Sequence, residues 1–247
     1  MRTSVDFSTP SLEMRTSFTP EELDRLLNQT IFSWDVSSLL NGVVDFLEFS
    51  EGNLSWQRRR DMRRAENEAA ALDFEPQDAH LLPQVRDQII EGAKYRFDFG
   101  LSQSVRYSGL VAYVTCVEWC SRLFTARLAQ SLPKRPNGKN EAVHVLENLN
   151  EKIGQRFTHE IEIFRQIVSV RNCVVHSSGL VKGDKHEVEV RKTLTTVPGF
   201  CISKEGFLGD SVYIEEGTIE GLARSALTWL PSLDEECTNN GIFQTHL

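Results

Sequence analysis

Long apolar runs are missing from this sequence. No stretch of its 247 residues reaches the roughly 20 apolar residues that a helix needs to cross a bilayer. The opening "MRTSVDFSTPSLEMRTS" is polar and lacks the apolar core of a secretory leader, so a cytoplasmic protein is expected. A basic excess is missing too. The 27 Lys and Arg stand against 35 Asp and Glu, a formal net charge of −8. That argues against a surface coated for duplex DNA. It leaves room for RNA in one local groove, because net charge says little about a single cleft.

Metal and cofactor signatures are also absent. The five cysteines, Cys116, Cys120, Cys173, Cys201 and Cys237, are odd in number, and three lie in apolar helical runs. Cys116 and Cys120 are four apart rather than in a C-x-x-C pattern, so reduced, packed thiols are expected and not a metal or redox pair. No G-x-x-x-x-G-K-[ST], H-E-x-x-H, G-x-S-x-G or G-x-G-x-x-G occurs, which removes support for an NTPase, zinc protease, serine hydrolase or dinucleotide enzyme. No cofactor and no metal is expected. There is no internal repeat and no low-complexity segment.

What is present is helical. Residues 1–17 read as a disordered lead-in. Thr19, Pro20 and Glu22 start a helix over about 20–33. Residues 35–52 are of mixed character, punctuated by Gly42 and Gly52, with strand pieces possible. "NLSWQRRRDMRRAENEAAALDF" reads as a long helix started by Asn53, and its arginines 58, 59, 60, 63 and 64 form a basic patch. That patch is either a solvated face paired with Asp61, Glu66 and Glu68, or a phosphate-contacting face in which Arg58, Arg59, Arg60, Arg63 and Arg64 hold RNA. Further helices are expected over 79–98, from "SGLVAYV" to "AQSL", over 140–152 and over 156–177. The region from "HEVEVRKTLTT" to "SVYIEEG" alternates and reads as two or three short strands with a hairpin around "KEGFLGD". A last helix, "TIEGLARSALTWL", is expected to end at Pro231, and the tail after Leu233 to be loose.

One dozen residues, "SVRNCVVHSSGL" at 169–180, stands out. On a helical wheel with Phe164 at zero, the apolar arc runs from about −120° to +40°, and Arg171 lies at about −20°, inside it. A guanidinium cannot shed its proton, and burying it without a partner costs several kcal/mol. Arg171 is therefore satisfied by a core glutamate, or snorkels, or faces a cleft or partner that uses its charge. Asn172 falls at about 80°, His176 at about 120° and Ser169 at about 140°. A histidine near a helix C-terminus is also simply a favourable end charge. His144 and His159 are helical singles, and His80, His186 and His246 read as loop residues.

"RNCVVH", an arginine, a polar residue and a histidine closing an apolar helix, resembles the R-x4–6-H signature of the HEPN superfamily. The resemblance covers about residues 85–180. It implies a mainly α fold: a HEPN-like helical bundle with a small β-rich C-terminal element and a final helix. The expected division is a lead-in at 1–17, a helical extension at 18–78, a HEPN-like core at 79–180, the hairpin and helix at 181–233, and a flexible tail at 234–247. The resemblance further implies a metal-independent endoribonuclease acting as a homodimer through the helix that carries Arg171 and His176. His176 would take the 2′-hydroxyl proton, since imidazole ordinarily titrates near pH 6.5. Arg171 would stabilise the phosphorane, and Asn172 would orient phosphate or histidine. Superfamily members commonly hold the arginine with a carboxylate on the neighbouring helix. Glu118 is the candidate, with Ser169 as a second supporting residue; an i,i+4 pair between Glu118 and Arg122 is the alternative. A toxin or anti-phage effector with a protein regulator or antitoxin is one such setting. A non-catalytic dimerisation module that binds RNA or protein is another, and a chance match on an unrelated helical scaffold is a third.

Overall fold

The computed structural model describes residues 31–76, 78–204 and 209–243, and side chains from residue 34 onward. The expected lead-in and most of the expected 20–33 helix lie outside these residues. Among the described residues the chain is mainly α. It has six helices, a two-stranded antiparallel hairpin, and a final helix. No described helix is long and apolar enough to cross a membrane.

The first helix, α1 (Ile31–Ala71), is continuous for 41 residues. This corrects the reading of 35–52 as possible strand and of a separate helix starting at Asn53. Val36, Leu40, Val43, Val44 and Leu47 recur at helical spacing and are nearly inaccessible. That stripe carries the helix through Gly42, and the Glu51–Arg106 ion pair at 2.6 Å and the buried Ala65 and Ala69 hold it beyond Gly52, where nothing lies within 4 Å of an added Cβ. Two glycines lower helix propensity, and these tertiary contacts outweigh them. The far end is terminated from outside. Arg86 donates from Nε to the Ala69 carbonyl at 2.7 Å and from Nη2 to the Leu72 carbonyl at 3.0 Å, satisfying carbonyls that a helix end leaves open.

Helix α2 (Leu82–Tyr95) begins with Pro83 in its first turn and passes through a π turn (Arg96–Leu101) into α3 (Ser102–Arg127). The third helix thus starts six residues before the expected "SGLVAYV". The wide turn lets the Ser102 hydroxyl donate to the Phe97 carbonyl at 2.7 Å. Helix α3 is the central element. Leu110, Val114, Val117, Cys120 and Phe124 are fully buried. At Gly109 a Cβ would stand 2.6 Å from Leu47 Cδ2, so α1 crosses α3 where a side chain is lacking.

Helices α4 (Glu141–Lys152) and α5 (Thr158–Ser177) match the expected boundaries to within two residues. Asn140 caps α4, its Oδ1 accepting from the Val143 amide at 3.2 Å. Helix α6 (Glu187–Thr196) replaces the strand expected at "HEVEVRKTLTT". Val190, Thr193 and Leu194 are buried at i, i+3, i+4, while Val188 is 79% exposed, so the apparent alternation was not the packed pattern. Strands β1 (Phe200–Ser203) and β2 (Ser211–Ile214) pair with Phe200 opposite Ile214, forming the expected hairpin.

The final helix, α7 (Thr218–Asn239), runs through Pro231. The expected stop at Pro231 is corrected, and so is the loose tail over 234–243; residues 244–247 lie outside the described residues. A mid-helix proline costs about 3 kcal/mol, but the apolar series continues beyond it. Leu233 and Cys237 are fully buried, and Asp234 is 2% exposed and ion-paired with Arg127. Phe243 then folds back to stack on Phe124, with ring centroids 5.5 Å apart. One apolar cluster includes α1, α3–α7 and the hairpin, so α1 shares the core of the later helices.

Candidate functional site

Helix α5 turns its core-facing side along its length. Ile161, Phe164, Ile167 and Val168 are buried in its first half, but Val170, Cys173 and Val174 in its second. At 100° per residue the second set points about 180° away from residues 171, 172, 175 and 176. The sequence wheel placed Arg171 and Val175 within one uniform apolar arc. The structure instead puts both on the outward strip of the last turns, with Val175 50% exposed. Order around the strip is Arg171, Val175, Asn172, His176. Arg171 and Asn172 are half-buried, and His176 is exposed.

Arg171 is fixed from behind. Its Nη2 donates to Glu118 Oε1 on α3, and the two side chains are 19% and 27% exposed. The same Glu118 oxygen accepts from Asn140 Nδ2 at 3.1 Å. Asn140 thus caps α4 with its oxygen and holds Glu118 with its nitrogen, joining α3, α4 and α5 at one carboxylate. The Arg122 alternative for Glu118 is not the contact formed. The Arg171 Nε is buried and has no hydrogen-bond partner among the described residues. A guanidinium offers five N–H donors in a planar fork, so this one retains donors beyond its ion pair.

The end of α5 is also pinned. Ser178 takes the left-handed conformation at φ 51°, and the Gly179 amide donates to the Cys173 carbonyl at 3.2 Å. Gly179 has φ 80°, and a Cβ there would lie 2.5 Å from the Tyr107 hydroxyl. That hydroxyl donates to the Val212 carbonyl, while the Val212 amide donates to the Gly179 carbonyl at 2.8 Å. The Ser177 hydroxyl donates to Asp184 at 2.6 Å. The hairpin therefore anchors the helix end that carries His176. Asp184 tends upward through burial, but bonds from Ser177 and the His186 amide outweigh this and hold its carboxyl below the ordinary value.

Ser169 lies off the strip. Its hydroxyl donates to the Gln166 carbonyl at 2.6 Å and lies 3.5 Å from Thr193 Oγ1, a bond that seats α6 on α5. No contact joins Arg171 to His176 within one chain among the described residues. They are five residues apart, about 140° around the helix. The five-arginine patch is divided too. Arg58 is bound at both Nε and Nη2 to Asp98, at 2.6 and 2.9 Å, whereas Arg59, Arg60, Arg63 and Arg64 are exposed. His144 is buried and bonded to Pro133 and Asn148, which makes it part of the scaffold.

Sequence reasoning missed Asn140. Its signal was an asparagine before an apolar helix, which gives the cap but not the second bond. Among the described residues, no group of three or more His, Cys, Asp or Glu side chains could hold a metal ion. No protein-family model, curated protein or solved structure matches the chain.

Proposed function

We propose that the protein is an endoribonuclease of HEPN type, working as a homodimer in the cytoplasm. The observation that carries the reading is Arg171. It is clamped by Glu118 through one nitrogen, has further donors to offer, and lies on one outward strip with His176. In the reaction the RNA 2′-oxygen attacks the adjacent phosphorus and its proton passes to His176. The phosphorane charge is met by Arg171. Asn172, between Arg171 and His176 on the strip, orients the phosphate. The P–O5′ bond breaks, the departing oxygen takes a proton from solvent while His176 returns its own, and the products are a 2′,3′-cyclic phosphate and a 5′-hydroxyl.

The wide angle between Arg171 and His176 favours a composite site. Two copies meeting about a two-fold axis along the strip would set each arginine beside the other copy's histidine. The half-exposed Val175 between them is apolar surface that such a partner covers. A toxin or anti-phage role, with a protein regulator or antitoxin, fits a nuclease of this kind.

A second reading is favoured by the same ion pair. Arg171 held by Glu118, which is itself bonded to Asn140, could serve a non-catalytic dimerisation module that binds RNA or protein. The test is cleavage of total RNA, in chelator, by wild type, Arg171→Ala and His176→Ala, with end-group analysis and sizing. The nuclease reading expects a dimer, cyclic-phosphate ends, and at least a 100-fold loss in each variant. His176 is exposed, so its variant keeps the fold. Intact RNA at micromolar wild type, or full activity in His176→Ala, would overturn it.

A further inference from the structure

We propose that the outer face of the C-terminal half of α1 docks the sugar–phosphate backbone of single-stranded RNA, with Trp56 as a stacking platform. The identity of the nucleic acid rests on the ribonuclease reading. With Arg60 at zero on the α1 wheel, Trp56 lies at about −40°, Arg63 at −60°, Arg64 at +40° and Asn67 at −20°, and Arg59 flanks them at about −100°. Ala65 and Ala69, at about 140° and 180° on that wheel, are the buried positions. The strip therefore looks directly away from the core. Its side chains border about 700 Å³ of open surface space walled by this one helix alone.

The arginines here are not consumed by structure. Arg59 and Arg63 have no hydrogen-bond or ion-pair partner among the described residues. Arg60 and Arg64 make only loose pairs, at 3.5 Å to Asp61 and 3.9 Å to Glu68, with the arginines 65% and 79% exposed. Exposed pairs of that kind are weak. Four like charges within six residues disfavour a helix, and the chain as a whole is acidic, so the concentration of positive charge is local. Arg60 lies over one face of Trp56, 5.0 Å from the ring centroid, and the tryptophan is 55% exposed. An aromatic ring beside a row of guanidinium groups is the arrangement that takes unpaired bases and their phosphates. From Trp56 to Asn67 the strip is about 16 Å long, the rise of four or five stacked nucleotides at ~3.4 Å each. A membrane surface fits less well. An interfacial helix inserts an apolar face, and here the face opposite the arginines is already packed.

The test is fluorescence anisotropy with the full chain and a labelled, uniformly 2′-O-methylated 20-nucleotide single strand. That RNA lacks the attacking hydroxyl, so binding is read without cleavage. Each single-strand phosphate contact contributes about −0.7 to the slope of log K against log salt. Arg59→Gln/Arg63→Gln is expected to move the slope about 1.4 toward zero and weaken binding about 25-fold at 0.1 M salt. Trp56→Ala is expected to weaken binding about tenfold with the slope unchanged. Arg224→Gln, an exposed arginine paired to Glu48 and Glu220, is the control and should bind as wild type. Circular dichroism checks the fold. Affinity and slope within twofold of wild type in the double variant overturn the inference. So does binding to vesicles containing 30% phosphatidylserine with none to the RNA. Cleavage by wild type alongside an unchanged double variant would reject the docking strip and leave the nuclease standing. Loss of binding with no cleavage would do the reverse.

Discussion

Removing the Glu118 carboxylate leaves the Arg171 guanidinium half-buried without its counter-ion. Hydrogen bonds to charged groups contribute about 1.5–3 kcal/mol, and exposed ion pairs about 0.2–1 kcal/mol. With side chains 19% and 27% exposed, this pair lies between those limits. Glu118→Ala also frees Asn140 Nδ2, so a loss of about 2 kcal/mol is expected. In a chain of this size that lowers Tm by about 4–8 °C. Arg171→Met keeps most of the apolar stem and leaves Glu118 with Asn140 and partial solvation, for a loss of about 1 kcal/mol. The double variant removes both charges together and is expected near 1.5 kcal/mol, a coupling of about 1.5 kcal/mol. Urea unfolding of the four proteins measures the cycle. A coupling below about 0.5 kcal/mol, the ordinary error of additivity, would show that Glu118 does not hold the arginine. A large coupling together with normal RNA cleavage by Arg171→Met would assign the pair to structure alone.

Two further outcomes test the packing. Gly52→Ala, in mid-helix with open space around it, should stabilise by about 0.5–1 kcal/mol, whereas Gly109→Ala should destabilise by about 1–3 kcal/mol because its Cβ meets Leu47; thermal melts that fail to separate the two would refute the close α1–α3 crossing. Burial pushes the Cys120, Cys173 and Cys237 thiols up to about 12, so at pH 8 a thiol reagent should modify the half-buried Cys116 and Cys201 first and the other three only on unfolding. Rapid reaction of all five in the native protein would contradict this core.

The candidate site was legible as an anomaly rather than as a geometry. A permanently charged residue among apolar neighbours is visible in one dimension, and so is a histidine five residues on. Which side of α5 faces the core at that point is not. The wheel assumed one face for the whole helix, while the real helix hands its packing from the Phe164 side to the Val170–Cys173–Val174 side as its neighbours change. That moved Arg171 and Val175 outward. The patch at 58–64 was read as one unit, but Asp98, forty residues away, withdraws Arg58 from it.

Local pattern determined α4 and α5, the hairpin at 200–214, and the start of α7, because caps, glycine turns and short-range periodicity are properties of neighbouring residues. Tertiary packing decided the rest. It carried α1 through two glycines and α7 through Pro231, made α6 a helix despite its alternating valines, and bonded Asn140 to the Glu118 carboxylate that holds Arg171. In each case burial of apolar side chains or pairing of charges from distant parts of the chain exceeded a local preference of about 1–3 kcal/mol, and such long-range terms are invisible until the chain is folded.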